Sequence, residues 1–209
     1  MARTSKKAKD LTHQRIVDTA SHAFRANGVD GTSIPALMQE VDLTHGTFYA
    51  HFPSKDALVA EAFARGLSET VDNLVHLAEQ QAPGDGLAAA IGYYLSAAHR
   101  DDPAGGCLLP ALAGEARRES PPVRRAFTTG LAGYFQRLGQ LMAEQNADAD
   151  EDQAIVLASG MAGAVLLARA VDDPELSDRI LRACRAFYTA AFAASPVTEE
   201  QAGDQDAED

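Results

Sequence analysis

The chain has 209 residues, 46% of them hydrophobic, enough for one good core or for a small domain attached to a larger one. No apolar run reaches about 18 residues, which argues against a membrane span, and the basic start MARTSKKAKD leads into an amphipathic pattern rather than a secretory signal, so a cytoplasmic protein is expected. Two cysteines, Cys107 and Cys184, are too few for a disulfide framework or an all-cysteine zinc site, and both lie among alanine and leucine as small buried hydrophobes do.

The net charge of -12 is unevenly divided. Residues 1–55 carry +2 and residues 56–209 carry -14. An acidic body turns away from a polyphosphate, whereas the first segment can approach one.

In chain order, Arg3, Lys6, Lys7 and Lys9 form a basic arm. It reads either as a disordered tail or as an arm adding phosphate contacts after docking. From Thr12, a candidate N-cap, the apolar residues Ile16, Val17, Ala20, Ala23 and Phe24 recur at helical spacing, and Asn27-Gly28 marks a stop. Thr32 is expected to cap a second helix that carries Pro35 in its first turn and ends near Val41-Asp42. Thr44 is expected to cap a third, reaching about Ala50. A connection of three or four residues between two short helices predicts a helix-turn-helix that presents its second helix outward.

That outward helix is chemically unusual. Phe48 and Phe52 turn inward, yet Thr44, His45, Thr47, Tyr49 and His51 exceed what a core needs, and Gly46 in their midst lowers helix propensity without contributing a side chain. Side chains of this size match base edges in a major groove. Tyr49, His51 and Lys55 have the donors for flanking phosphates, and Ser54 caps the next helix. The alternatives are a local cap or core hydrogen bond for His51 and simple exposure for His45. No constellation of His, Cys, Asp and Glu converges on a metal site, and no nucleophile–base motif points to an enzyme, so neither cofactor nor metal is expected.

The segment GTSIPALMQEVDLTHGTFYAHFPSKDALVAEAF resembles the DNA-binding domain of the TetR family of bacterial transcriptional repressors. The matching features are Gly28, Thr32-Ser33, Gly46-Thr47-Phe48-Tyr49, His51-Phe52, Lys55 and Leu58. The resemblance implies a homodimer on a palindromic operator of double-stranded DNA. It assigns Tyr49, His51 and Lys55 to phosphates and Thr44, His45 and Thr47 to base edges, places Gly46 close to the DNA, and adds Ser33 at the opening of the second helix. One residue departs from the pattern: Asp42 stands in the turn where many members have glycine.

A long helix is expected from Lys55 to about Glu79, with Leu58, Val59, Ala62, Phe63, Leu67, Val71, Leu74 and Leu77 inward, linking the reading unit to the body. Leu87 to Arg100 reads as one helix, and the glycine-broken stretch from Gly105 to Arg118 as either a pocket wall or an irregular loop. Tyr93, Tyr94, His99, Cys107, Phe127 and Tyr134 are the candidates for lining an inducer cavity. Pro121 opens a further helix that ends in the polar stretch Gln145 to Asp152. Residues 153–171 and the helix after Pro174 are more apolar than one subunit needs, with Gly160 and Gly163 permitting close approach; residues 153–192 are therefore the expected dimer interface.

The sequence thus predicts an all-α protein of about nine helices. Its expected parts are an arm and helix-turn-helix unit in residues 1–54, a ligand-binding and dimerisation body in 55–196, and an acidic, disordered tail in 197–209. The expected function is a repressor released from its operator by a small-molecule inducer. The competing readings are a ligand- or partner-binding module without sequence-specific DNA binding and, last, a helical enzyme.

Overall fold

The computed structural model describes residues 2–144 and 149–193. Among these, ten α-helices are present rather than about nine: α1 Ala2–Asn27, α2 Ile34–Glu40, α3 His45–Phe48, α4 Lys55–Glu79, α5 Gly86–Tyr94, α6 Ala97–Asp101, α7 Leu108–Ala116, α8 Pro121–Ala143, α9 Glu151–Ala170 and α10 Pro174–Tyr188. A π-helical turn, Thr189–Ala193, follows α10. The expected acidic tail lies outside the described residues.

The first helix starts ten residues before Thr12. Thr12 is not a cap but an interior residue whose hydroxyl donates back to Ala8 O at 3.0 Å, and the basic arm is the first turns of α1. Gly28 ends the helix in the left-handed conformation, φ 77°, donating to Phe24 O at 2.8 Å. The N-cap of α2 is Ser33, not Thr32: Ser33 Oγ accepts from Ala36 N at 3.3 Å, while the buried Thr32 hydroxyl donates to Gly28 O at 2.9 Å. A hydroxyl one residue earlier serves the preceding turn instead.

Helices α2 and α3 are joined by a left-handed turn at Asp42, φ 56°. Leu43 N reaches back to Met38 O at 2.8 Å and Asp42 N to Gln39 O at 3.1 Å, a Schellman closure that normally favours glycine. The Asp42 side chain strains this backbone, at a typical cost of about 1–2 kcal/mol for non-glycine residues. Asp42→Gly is accordingly expected to stabilise the three-helix unit by about 1 kcal/mol in chemical denaturation; a lower midpoint would show that the aspartate contributes more than its strain. The third helix is shorter than expected, four residues, with Tyr49 to His51 as turns after it. Phe48 and Phe52 stack with centroids 5.5 Å apart in the core, and Phe52 also stacks on the His13 ring of α1 at 4.4 Å.

Helix α4 runs from Lys55 to Glu79 as expected, capped by Ser54 Oγ on Ala57 N at 3.2 Å. It is the axis of the molecule. Below, it packs on α1; above, α8 lies along it in the same direction, Phe127 beside Phe63 (6.1 Å), Gly130 against Leu67, and Arg137 paired with Asp72. At Gly66 three helices converge: a Cβ there would stand 2.8 Å from Leu108 Cδ1 and 3.0 Å from Ser21 Oγ. A larger residue there would require the Leu108 and Ser21 side chains to shift.

The expected single helix over Leu87 to Arg100 is two. Leu95 leaves helical geometry and Ser96 caps α6 by accepting from His99 N at 3.2 Å, because a serine at that position offers the chain a new start. Helices α9 and α10 pair, the Tyr188 ring lying over Gly160; Gly163 has no close neighbour. Helix α9 is long and apolar enough to cross a membrane, contrary to the reading of the sequence, but Ala154, Leu157, Ala158, Met161, Ala164, Val165 and Ala168 are buried in the body.

Candidate functional site

Two regions carry chemistry, one at the start of α4 and the other against its second half, around Glu69 to Leu74. The lower is the outward face of the helix-turn-helix. Thr44 Oγ1 caps α3 by accepting from Thr47 N at 3.3 Å and shares a 2.9 Å hydrogen bond with Thr47 Oγ1. His45 and Tyr49 meet edge to face at 5.5 Å, and Tyr49 is 62% exposed although it is a large aromatic. Gly46 is exposed, and a Cβ there would meet only Thr44 Oγ1 at 3.9 Å, so nothing inside the chain requires a glycine. Thr44, His45, Gly46, Thr47 and Tyr49 thus form one outward surface, with Ser33 exposed at the start of α2.

His51 lies off that surface, half-buried beside His13 (5.9 Å) and Phe52. Its Nδ1 is buried without a hydrogen bond among the described residues, and desolvation, then His13 and Lys9, hold its pKa below the ordinary value. Lys55 is engaged inside the chain: its ammonium donates to Val29 O at 2.6 Å and Thr32 O at 2.7 Å, tying the start of α4 to the α1–α2 turn. Sequence reading missed this role, because carbonyls that converge in space leave no trace in residue type.

The upper region centres on Cys107. Tyr94, His99 and Cys107 are buried together, while Tyr93 sits at the rim, 45% exposed. With Thr70, Asn73 and Arg25 they enclose a cavity of about 10 Å³, room for about one water molecule. Tyr134 is buried but does not line it, and Phe127 lies against Phe63, so the six residues do not line one cavity.

His99 organises this centre. Its Nδ1 donates to Tyr94 O at 2.6 Å and its Nε2 accepts from Cys107 N at 2.8 Å, which fixes a neutral imidazole. Desolvation lowers its pKa, opposed by the Tyr94 hydrogen bond and by Asp102, with Arg169 lowering it further. A depressed histidine contributes stability that is full above the unfolded value of about 6.5 and is lost as pH falls through the folded one. Urea midpoints are therefore expected to drop as the pH is lowered below about 6.5, and His99→Gln to flatten that dependence; an unchanged slope would assign the titration elsewhere.

A residue not anticipated from sequence joins the two regions. Arg25, on α1, has a side chain only 1% exposed. Its Nε donates to Ala104 O at 2.6 Å, in the turn before Cys107, and both Nη atoms reach Glu69 Oε2 at 3.3 Å. A second link runs from Glu115 of α7, whose carboxylate accepts from Val29 N at 3.0 Å. Residue type alone does not mark Arg25 out, because the carbonyl it holds lies 79 residues further along the chain. Among the described residues no three of His, Cys, Asp and Glu are placed to hold a metal ion.

Two family models match in tandem, bacterial regulatory proteins of the tetR family over residues 16–62 and the tetracyclin repressor-like C-terminal domain over residues 83–184. The transcriptional regulator AcrR of Shigella flexneri is 37% identical over 90 residues, 42% of this chain and 40% of AcrR. TtgR of Pseudomonas putida is 32% identical over 87 residues, 42% of this chain and 41% of TtgR. The chain thus spans about two fifths of the length of these curated relatives. Among solved structures, reduced E. coli NemR superposes with a TM-score of 0.71 at 23% identity, covering 89% of this chain and 98% of NemR. A regulator from Cytophaga hutchinsonii gives 0.73 at 21% identity, covering 90% and 98%. These likenesses show the fold, and the two family models together show the family: the chain belongs to the TetR family of bacterial transcriptional regulators.

Proposed function

We propose that the chain is a ligand-responsive repressor that binds a palindromic operator as a homodimer and leaves it when a small molecule binds the body. The observation that supports this most is the outward surface of α3, where a bare glycine, two threonines, a histidine and a largely exposed tyrosine project from a unit whose other face is fully committed to packing. On this reading Thr44, His45 and Thr47 meet base edges, Gly46 admits the DNA backbone, and Tyr49, His51, Ser33 and Lys55 serve phosphates. Lys55 keeps one ammonium N–H beyond the two given to Val29 and Thr32.

The dimer is assigned to residues 153–192. Val156, Leu166 and Leu167 of α9 and Phe187 of α10 are each more than half exposed, and a second copy of the helix pair would remove them from water. The division near residue 54 and the cytoplasmic location belong to the same proposal. Titration of the dimer against its own promoter region and against random DNA tests it: tighter binding to one segment is expected, and equal binding to all would end it. Tyr49→Phe should weaken every sequence alike, whereas His45→Ala should relax preference at one base pair, by about 1–3 kcal/mol. A uniform loss from His45→Ala would remove that residue from base reading.

A further inference from the structure

Residues 56–209 carry a net charge of -14, yet four of their eleven arginines fall within nine residues, in the stretch EARRESPPVRR that ends α7 and opens α8. Arg117, Arg118, Arg124 and Arg125 are all exposed, and none of them forms an ion pair among the described residues. By contrast, Arg65, Arg100 and Arg137 hold carboxylates, and Arg169 holds the carbonyls of Arg100 and His99. Adjacent cations without partners repel one another, and a polyanion relieves that repulsion.

Two sets of contacts place this stretch at the end of the body that meets the reading unit. Glu115 accepts from Val29 N at 3.0 Å and Arg118 N donates to Glu115 O at 2.7 Å, so Arg117 and Arg118 stand within a turn of the α1–α2 connection. That connection is held by Lys55 and runs directly into Ser33. Along α8, the pairings of Phe127 with Phe63, Gly130 with Leu67 and Arg137 with Asp72 keep α8 and α4 parallel and in step. Arg124 and Arg125 therefore lie level with the first two turns of α4.

The arginines also decide the sign of this end. In the connections and helix starts gathered there, Asp30, Asp56, Glu115 and Glu119 set against Lys55 alone would leave a charge of -3, and the quartet brings it to +1. Glu115 and Glu119 are half-buried, whereas the four arginines face solvent.

We propose that this arginine quartet is a second DNA contact, made by the body, and that it meets phosphates of the duplex flanking the segment under α3. Guanidinium groups stay charged and present a fork of donors that matches phosphate oxygens. Such a contact carries no sequence information; it lengthens the footprint and strengthens binding at low salt. The inference rests on reading the chain as a DNA-binding regulator and extends that reading from the helix-turn-helix to the body.

Titration of the full chain against a promoter fragment and against a random-sequence duplex, each over a range of KCl concentrations, tests the proposal. A protein with Arg117, Arg118, Arg124 and Arg125 all changed to Gln is expected to lose about 0.9 from the salt slope for each phosphate contact removed, or about eightfold in affinity per contact at 0.1 M salt. Its preference for promoter over random sequence and its unfolding midpoint should stay those of the parent. The same four positions changed to Lys should restore the slope. Arg124→Gln alone should lower it, whereas Arg137→Gln, the same change of charge about 20 Å further along α8, should not. An unchanged slope in the Gln protein, a Lys protein as weak as the Gln protein, or an equal loss from Arg137→Gln overturns the proposal. The two readings fail separately. Equal binding of promoter and random duplexes with a slope that falls in the Gln protein removes the sequence-specific repressor and leaves this surface standing, and a promoter preference with an unchanged slope does the reverse.

Discussion

On the proposed repressor reading, an Arg25→Met protein is expected to bind its operator within a few-fold of the parent and to lose nearly all response to ligand. Arg25 belongs by chain position to the DNA-reading unit and by contact to the body, holding Ala104 O and Glu69 at once. Methionine keeps most of the volume while removing every donor, and Glu69, 26% exposed with His22 at 3.9 Å, is not left in a dry interior. Coupling between two sites is typically worth 1–3 kcal/mol, or about 5–150-fold in affinity. In the variant that ratio should approach one, while ligand binding measured without DNA persists. Operator affinities with and without a small molecule that releases the parent provide the measurement. A response of parental size would show that the signal travels by Glu115 and the Val29 amide instead.

Lys55→Ala should produce the other large effect, and in stability before affinity. Two hydrogen bonds from a charged donor close the α1–α2 turn, and bonds of this kind are worth about 1.5–3 kcal/mol each without being additive. A loss of about 3 kcal/mol, roughly a hundredfold in the opening of that turn, is expected in hydrogen exchange of the amides around Val29 and Thr32. DNA binding should then fall for all sequences. If Lys55 served phosphate alone, exchange would be unchanged and the salt slope of binding would fall by about 0.9. The two measurements together apportion its roles.

What the sequence made legible followed from periodicity and from side-chain type. The bounds of α4 and the inward set from Leu58 to Leu74 repeat with the helical period, and Asp42, which departs from the glycine of the family pattern, is the residue found in the left-handed turn. The first turns of α1 were illegible because lysines and alanines without an apolar stripe read as a tail. The break at Leu95-Ser96 was hidden because apolar spacing continues across it. In the interior, tyrosines 94 and 134 were readable as candidates, but only coordinates show that the Tyr94 hydroxyl meets the Cys107 thiol. Arg25 and Lys55 act on backbone carbonyls distant in sequence, and such targets have no signature in the chain.

The crowding at Gly66 also sets the mechanical gain of the molecule. That residue lies eleven positions after Lys55 and thirteen before Glu79, so the two arms of α4 measure about 17 Å and about 20 Å at 1.5 Å per residue. A rotation of α4 about this fulcrum moves its two ends by nearly equal distances in opposite senses. Were α4 to pivot there in the repressor cycle proposed above, it would transmit displacement without multiplying it, and its far end would have to travel about as far as the helix-turn-helix does.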